Sequence, residues 1–242
     1  MLKTPDNTKA DLILKNGIIR TMDAHETCAS ALAVREGKII FVGDDAGAQA
    51  LCGPGTEVIE LKGRMALPGM IDTHLHAPGN VLTKLFDINL HGLLRLEETL
   101  KTIKDFVWEN PDREVYYGEG FSLGIFEGLE VSLGPRKERL DDICPAKPIF
   151  LTSYDGHSYW LNSKALEVCG IGRDTPNPPG GVIERDPQTG EPWGTLKEAA
   201  GKLFREREYT REENLKALLH FQKELHSLGY TGILSISGFS PV

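Results

Sequence analysis

The chain has 242 residues, with 27 Lys and Arg against 35 Asp and Glu and a formal net charge of −8. At 40% hydrophobic and 26% charged, its composition is that of an ordinary globular protein and excludes wholesale disorder. No stretch approaches about 18 uninterrupted apolar residues, so no transmembrane helix is expected, and an acidic chain without a basic run offers no electrostatic footprint for nucleic acid.

In chain order, Met1 to Lys15 carries no apolar leader core, so no signal peptide is expected. The first 66 residues read as β. Leu12-Ile13-Leu14-Lys15 and Ile18-Ile19-Arg20 flank Asn16-Gly17, a pair suited to the positive φ angles of a hairpin turn. Ala31 to Val34 and Lys38 to Val42 flank Arg35-Glu36-Gly37, a second hairpin. Glu57 to Leu61 and Arg64 to Leu67 flank Lys62-Gly63, a third. Short strands at this rhythm predict a small sheet or part of a sandwich.

From about residue 67 the pattern becomes mixed α and β. Ala66 to Thr73 is a short apolar strand, apolar enough to be buried. Leu96, Leu100, Ile103, Phe106 and Val107 give a helix that Pro111 stops. Strands are expected at Glu114–Gly118 and Pro148–Thr152, the latter leading into Ser153 to His157. A short helix from Asn162 to Val168 is closed by Gly170. Residues 172–194 are rich in Gly and Pro and contain Asp186 to Gly190, a turn or hairpin tip. Leu215 to Leu228 is an amphipathic helix with Gly229 past its end, and Gly232 to Ile236 is the next strand. Strands alternating with helices predict parallel βα units. Cys28, Cys52, Cys144 and Cys169 form no C-x-x-C pair and read as reduced thiols of a cytoplasmic protein.

One segment stands out for its chemistry: Pro68-Gly69-Met70-Ile71-Asp72-Thr73-His74-Leu75-His76. Histidines at i and i+2 on a strand share a face, and imidazole is a common ligand for zinc and related ions. Asp72 could orient one ring from behind. An H-x-H alone is also what two surface histidines beside a turn would look like. A catalytic site needs at least three protein ligands. The candidates for completing one are Asp155, His157, Lys197 and Glu198. His157 follows a strand, where hydrogen-bonded loop histidines are common. Glu198 is expected to open a helical segment, where a carboxylate complements the helix dipole. No G-x-S-x-G, Walker-type or G-x-G-x-x-G pattern is present.

Four segments in order resemble the YtcJ-like metal-dependent amidohydrolases, the amidohydrolase family 3 group. They are Ala10 to Gly17, Leu67 to His76, Asp155 to Leu166, and Gly180 to Asp186 with Gly190 to Ala200. The resemblance implies an α/β fold: a partial TIM-like (β/α) barrel from residues 67–242, with the Gly/Pro-rich 172–194 as an insertion. Residues 1–66 would be the N-terminal part of a composite β-sandwich. It implies a divalent metal, zinc first among the candidates, held by His74 and His76. Glu198 would be a further ligand or bridging group, with a carboxylated Lys197 as the alternative. His157 and Asp155 would face a small amide-like substrate, whose C–N bond is hydrolysed by metal-activated water.

A whole barrel takes about 250 residues, and this chain supplies about four barrel strands, the last at Gly232 to Ser237. Further metal ligands and the general base are expected from a C-terminal half, and Ser240-Pro241-Val242 offers no capping end. The expected partners are therefore that missing half or a second copy, with neither nucleic acid nor membrane. Two readings follow. One is the N-terminal part of a metal-dependent amidohydrolase. The other is a catalytically inactive fragment or split subunit.

Overall fold

The computed structural model describes residues 9–204 and 207–236. The expectations that touch Met1–Thr8, Ser237 and Ser240-Pro241-Val242 lie outside them. The chain divides into two compact units, Met1–Thr73 with His226–Leu234, and His74–Leu225 with Ser235–Val242.

The first unit opens with β1 (Leu12–Lys15), β2 (Ile18–Arg20), β3 (Cys28–Ala29), β4 (Ala31–Arg35), β5 (Lys38–Gly43), α1 (Asp45–Ala50), β6 (Glu57–Glu60) and β7 (Met65–Ala66). The strands form two sheets, ordered β5-β4-β1-β6 and β3-β2-β7. The Arg35-Glu36-Gly37 hairpin is present: β4 and β5 pair antiparallel, and Glu36 and Gly37 take φ of 49° and 72°. The other two hairpins are not. Asn16 does adopt φ 54°, but β1 pairs with β4 and β6 while β2 pairs with β3 and β7. Lys62-Gly63 likewise turns the chain from one sheet into the other. These turns bend the chain between layers because Ile19 and Leu61 gain more by burial beside Leu32 than their strands would by pairing locally. On the other side of the larger sheet, Ile13, Ala31 and Ala33 pack under Ala48 of α1.

Next come β8 (Met70–Leu75), α2 (Val81–Phe86), β9 (Ile88–Asn89), α3 (Leu96–Glu109), β10 (Tyr116–Phe121), α4 (Glu130–Leu133) and α5 (Glu138–Asp141). They are followed by β11 (Ile149–Ser153), β12 (Ser158–Leu161), α6 (Ser163–Val168), β13 (Gly181–Arg185), β14 (Pro192–Glu198), α7 (Arg211–Ser227) and β15 (Tyr230–Ser235). In the second unit one sheet runs β13-β14-β12-β11-β10-β9. β9, β10 and β11 are parallel, with α3 crossing between the first two. From β11 onward the neighbours are antiparallel. The α/β class holds, and the sheets are open: among the described residues no barrel closes. Residues 172–194 are partly ordered into strands. They contain β13 and the start of β14, joined by a turn in which the Asp186 carboxylate accepts from the Gln188 and Thr189 N–H groups.

Two cores flank this sheet. On one face Ile103 of α3, Leu140, Tyr116, Ile149, Leu151 and Trp160 are buried together. Phe150, Leu161, Leu166, Ile183 and Leu196 fill the other. Asn162, fully buried, joins them. Its side chain accepts from the Ile149 and Ala165 N–H groups and donates to the Cys144 and Lys147 carbonyls, at 2.8–3.1 Å. All its hydrogen-bonding capacity is thereby used, which is what permits a buried amide.

Candidate functional site

His74 lies in β8 and His76 directly follows the strand's last residue, Leu75. The strand's two-residue period puts His74 and His76 on one side, with ring centroids 6.0 Å apart and ring planes at 68°. That spacing allows one ion to be shared at roughly 2.0–2.1 Å from a nitrogen of each ring. Both rings are exposed, and Asp72 is half-buried. The strand itself was expected to be buried. Instead Met70 is 41% and Ile71 66% exposed, because β8 has β15 as its sheet partner and a two-stranded ribbon covers little apolar surface.

A second group forms where β11, β12 and β14 come together. The Ser153 hydroxyl donates to Asp155 Oδ1 at 2.5 Å and accepts from the Ser158 N–H at 2.9 Å. Asp155 Oδ1 also accepts the His157 N–H at 3.1 Å. These bonds fix the tight turn Tyr154-Asp155-Gly156 and present His157. The Ser153 hydroxyl, followed by the His157 N–H and the His157 ring, holds the Asp155 carboxyl below its ordinary value. His157 Nδ1 stands 3.1 Å from Glu198 Oε2, and that hydrogen bond and charge raise the imidazole's pKa. Among the described residues Glu198 Oε1 makes no hydrogen bond.

Glu198 opens a helical segment as expected, though the segment is a short 3₁₀ helix. It closes β14 ahead of a single 3₁₀ turn, Ala199–Leu203, and caps nothing with its side chain. Its backbone sits at φ 52° and ψ −130°, a region that costs a non-glycine residue about 1–3 kcal/mol. The pairing of Glu198 with Gly181 and its N–H bond to the His157 carbonyl hold it there. A side chain at Gly181 would put a Cβ 2.2 Å from the Ala200 nitrogen, so only glycine lets the strands approach this closely. Lys197, one residue earlier and on the opposite face, pairs with Glu184 Oε1 at 2.7 Å and donates to the Ser132 carbonyl at 2.7 Å.

The structure thus gathers Asp155, His157 and Glu198, and separately His74 with His76. Among the described residues no three His, Cys, Asp or Glu side chains converge as a metal-holding group. By donor chemistry the two imidazoles suit a divalent ion, while the Glu198 carboxylate belongs to the separate group. Sequence reasoning missed Ser153, whose serine at a strand end two residues before an aspartate was the available signal. It also missed a cavity of about 180 Å³ behind this turn, lined in part by Glu119, Thr152 and Tyr159. The four cysteines are unpaired with one another, and among the described residues no helix is long and apolar enough to cross a membrane.

A model of the amidohydrolase family matches residues 57–240. The N-substituted formamide deformylase of Arthrobacter pascens is 33% identical over 238 residues, 92% of this chain and 42% of that protein. The putative amidohydrolase YtcJ of Bacillus subtilis is 33% identical over 193 residues, 79% of this chain and 36% of that protein. A crystal structure of an uncharacterized metal-dependent hydrolase from Pyrococcus horikoshii is similar with a TM-score of 0.62 at 26% identity, covering 92% of this chain and 42% of that one. The chain spans less than half the length of each of these proteins.

Proposed function

The chain belongs to the amidohydrolase family, and from that membership we propose that it carries the opening part of a metal-dependent active site that hydrolyses non-peptide C–N bonds in small amide-like molecules. The observation that carries this reading is the His74–His76 pair, on one face at the end of β8, within the matched segment.

His74 and His76 would hold a divalent ion, zinc first among the candidates. Glu198 would supply its spare oxygen as a further ligand, while His157 holds the other oxygen and fixes its direction. Lys197, tied to Glu184, is the weaker candidate for that role. When bound, such an ion polarises a carbonyl and lowers the pKa of bound water to about 7. The chain's own residues do the rest. Protonated His157, favoured by Glu198, would donate a hydrogen bond to a substrate carbonyl oxygen. Asp155, kept ionised by Ser153, holds the turn that aims His157 and borders the substrate. The general base and the remaining ligands would come from a C-terminal half or a second copy, which would also complete a (β/α) barrel. A cytoplasmic location is part of the same proposal and accords with four cysteines that form no disulfide with one another.

A second reading draws on the absence of a three-residue metal cluster among the described residues. On this reading the chain alone is a non-catalytic subunit. The two separate in one assay: turnover of N-substituted formamides and simple amides by the zinc-loaded chain, compared with His76→Ala. Turnover lost in the variant supports the enzyme reading. No turnover supports the subunit reading. Turnover that survives loss of both histidines overturns the role of the pair.

A further inference from the structure

Four aromatic rings form a continuous wall in the second unit. Tyr117 stacks on Phe150 at 5.5 Å, Phe150 stacks on Phe204 at 5.2 Å, and Tyr159 meets the Phe204 ring edge-on at 5.1 Å. The wall bounds the cavity of about 180 Å³. A cavity of about 150 Å³ accommodates benzene, so there is room for a body of one ring.

The charges around the cavity do not cancel evenly. The Asp87 side chain, 1% exposed, accepts from Arg113 Nη1 and Arg207 Nε at 3.1 Å and from the Tyr209 hydroxyl at 2.7 Å. Arg207 is also paired with Glu213 at 2.7 Å. That cluster is internally matched. Glu119 is not. Its side chain is 43% exposed and accepts from the Thr83 hydroxyl at 3.1 Å. Among the described residues its ion-pair partner is His91 Nε2 at 3.8 Å, and no lysine or arginine pairs with it. The bulge at Gly120, with φ 102°, sets this orientation: a Cβ there would lie 2.5 Å from the His91 nitrogen.

We propose that this cavity binds an organic ammonium, with its charged head at Glu119 and a planar apolar body against the Tyr117–Phe150–Phe204–Tyr159 wall. A carboxylate gives an ammonium a charge-assisted hydrogen bond, and the aromatic wall takes the apolar body out of water. Binding rests on the cavity alone. Its use as the amine-side subsite rests on the hydrolase reading. Water's oxygen joins the carbonyl carbon, the C–N bond breaks, and the protons leave with nitrogen, giving a carboxylate and an ammonium. The Tyr159 hydroxyl donates to the Gly156 carbonyl at 3.1 Å, so the cavity wall is tied to the Asp155–His157 turn.

The test is calorimetric titration of the full chain with benzylammonium and its neutral counterpart benzyl alcohol, in chelator. Saturable benzylammonium binding is expected, with benzyl alcohol about tenfold weaker. Glu119→Gln, which keeps the Thr83 bond, should weaken benzylammonium about tenfold, and Tyr117→Leu, which removes ring contact with the apolar body, about threefold. Circular dichroism checks that each variant is folded. No saturable binding to the folded wild type, equal affinity for the two probes, or an unaffected Glu119→Gln overturns the proposal. With the metal removed, binding reads the cavity alone. Intact binding beside failed metal-dependent turnover would leave this proposal standing and withdraw the hydrolase reading from the chain acting alone.

Discussion

His157 and Glu198 are joined twice: ring Nδ1 to carboxylate Oε2 at 3.1 Å, and Glu198 N–H to the His157 carbonyl at 2.9 Å. The antiparallel register that sets Ser158 opposite Lys197 brings them together across 41 residues of sequence. A strained backbone at Glu198 and a hydroxyl-anchored turn before His157 hold two exposed groups in a defined relation.

That relation fixes a pH response. In metal-free protein the His157 imidazole should titrate above the ordinary 6.5, because Glu198 hydrogen-bonds and attracts its charged form. The attraction is fully present below pH 6.5 and lost as pH rises through the raised value. NMR titration of the ring protons reads it, and Glu198→Gln should move the midpoint down. An unmoved midpoint would mean that the pair does not exist in solution.

Backbone strain at Glu198 gives a separate prediction. Glu198→Gly relieves a positive φ and should leave stability unchanged or raise it by up to about 1 kcal/mol, read by urea unfolding. A loss of more than about 1 kcal/mol would show that the side chain supports the fold rather than the site.

Asn162 is structural. Asn162→Ala strips partners from the Ile149 and Ala165 N–H groups and the Cys144 and Lys147 carbonyls, and should cost roughly 3 kcal/mol. A change below about 0.5 kcal/mol would contradict that network.

Acid should weaken the second unit through Glu130. Burial pushes this carboxyl up, but Arg139 grips both its oxygens at 2.6–3.1 Å and the Arg136 N–H adds a third donor, so its pKa ends below the ordinary 4.5. Its stabilisation is present above pH 4.5 and lost as pH falls through the lowered value. Glu130→Ala should cost roughly 3 kcal/mol at neutral pH, and the gap to wild type should close in acid. A gap independent of pH would reject the ion pair as its source.

Local periodicity made much of the fold legible. The helices at Leu96–Glu109 and Arg211–Ser227 and the Arg35–Gly37 hairpin follow from residues within a few positions of one another. What failed was pairing. Asn16-Gly17 and Lys62-Gly63 encode positive φ, but not which strand the chain meets after the turn. The tip of the β13–β14 hairpin at Asp186 to Gly190 was legible from its turn residues, but not the extent of the strands on either side. At the candidate site, His74 and His76 were legible because strand period alone sets their common face. The Glu198–His157 contact required a register no short pattern carries, and Asp87 meets Arg207 across 120 residues. Buried β8 was expected from composition, yet burial depends on covering layers that a strand's own residues do not specify.

The paired imidazoles at the end of β8 are the centre of the account, and metal content tests them most directly. The full chain, incubated with zinc, desalted and measured by inductively coupled plasma mass spectrometry, should retain metal that falls to background in the His74→Ala, His76→Ala double variant while its circular dichroism is unchanged. Equal zinc in wild type and double variant would contradict the account.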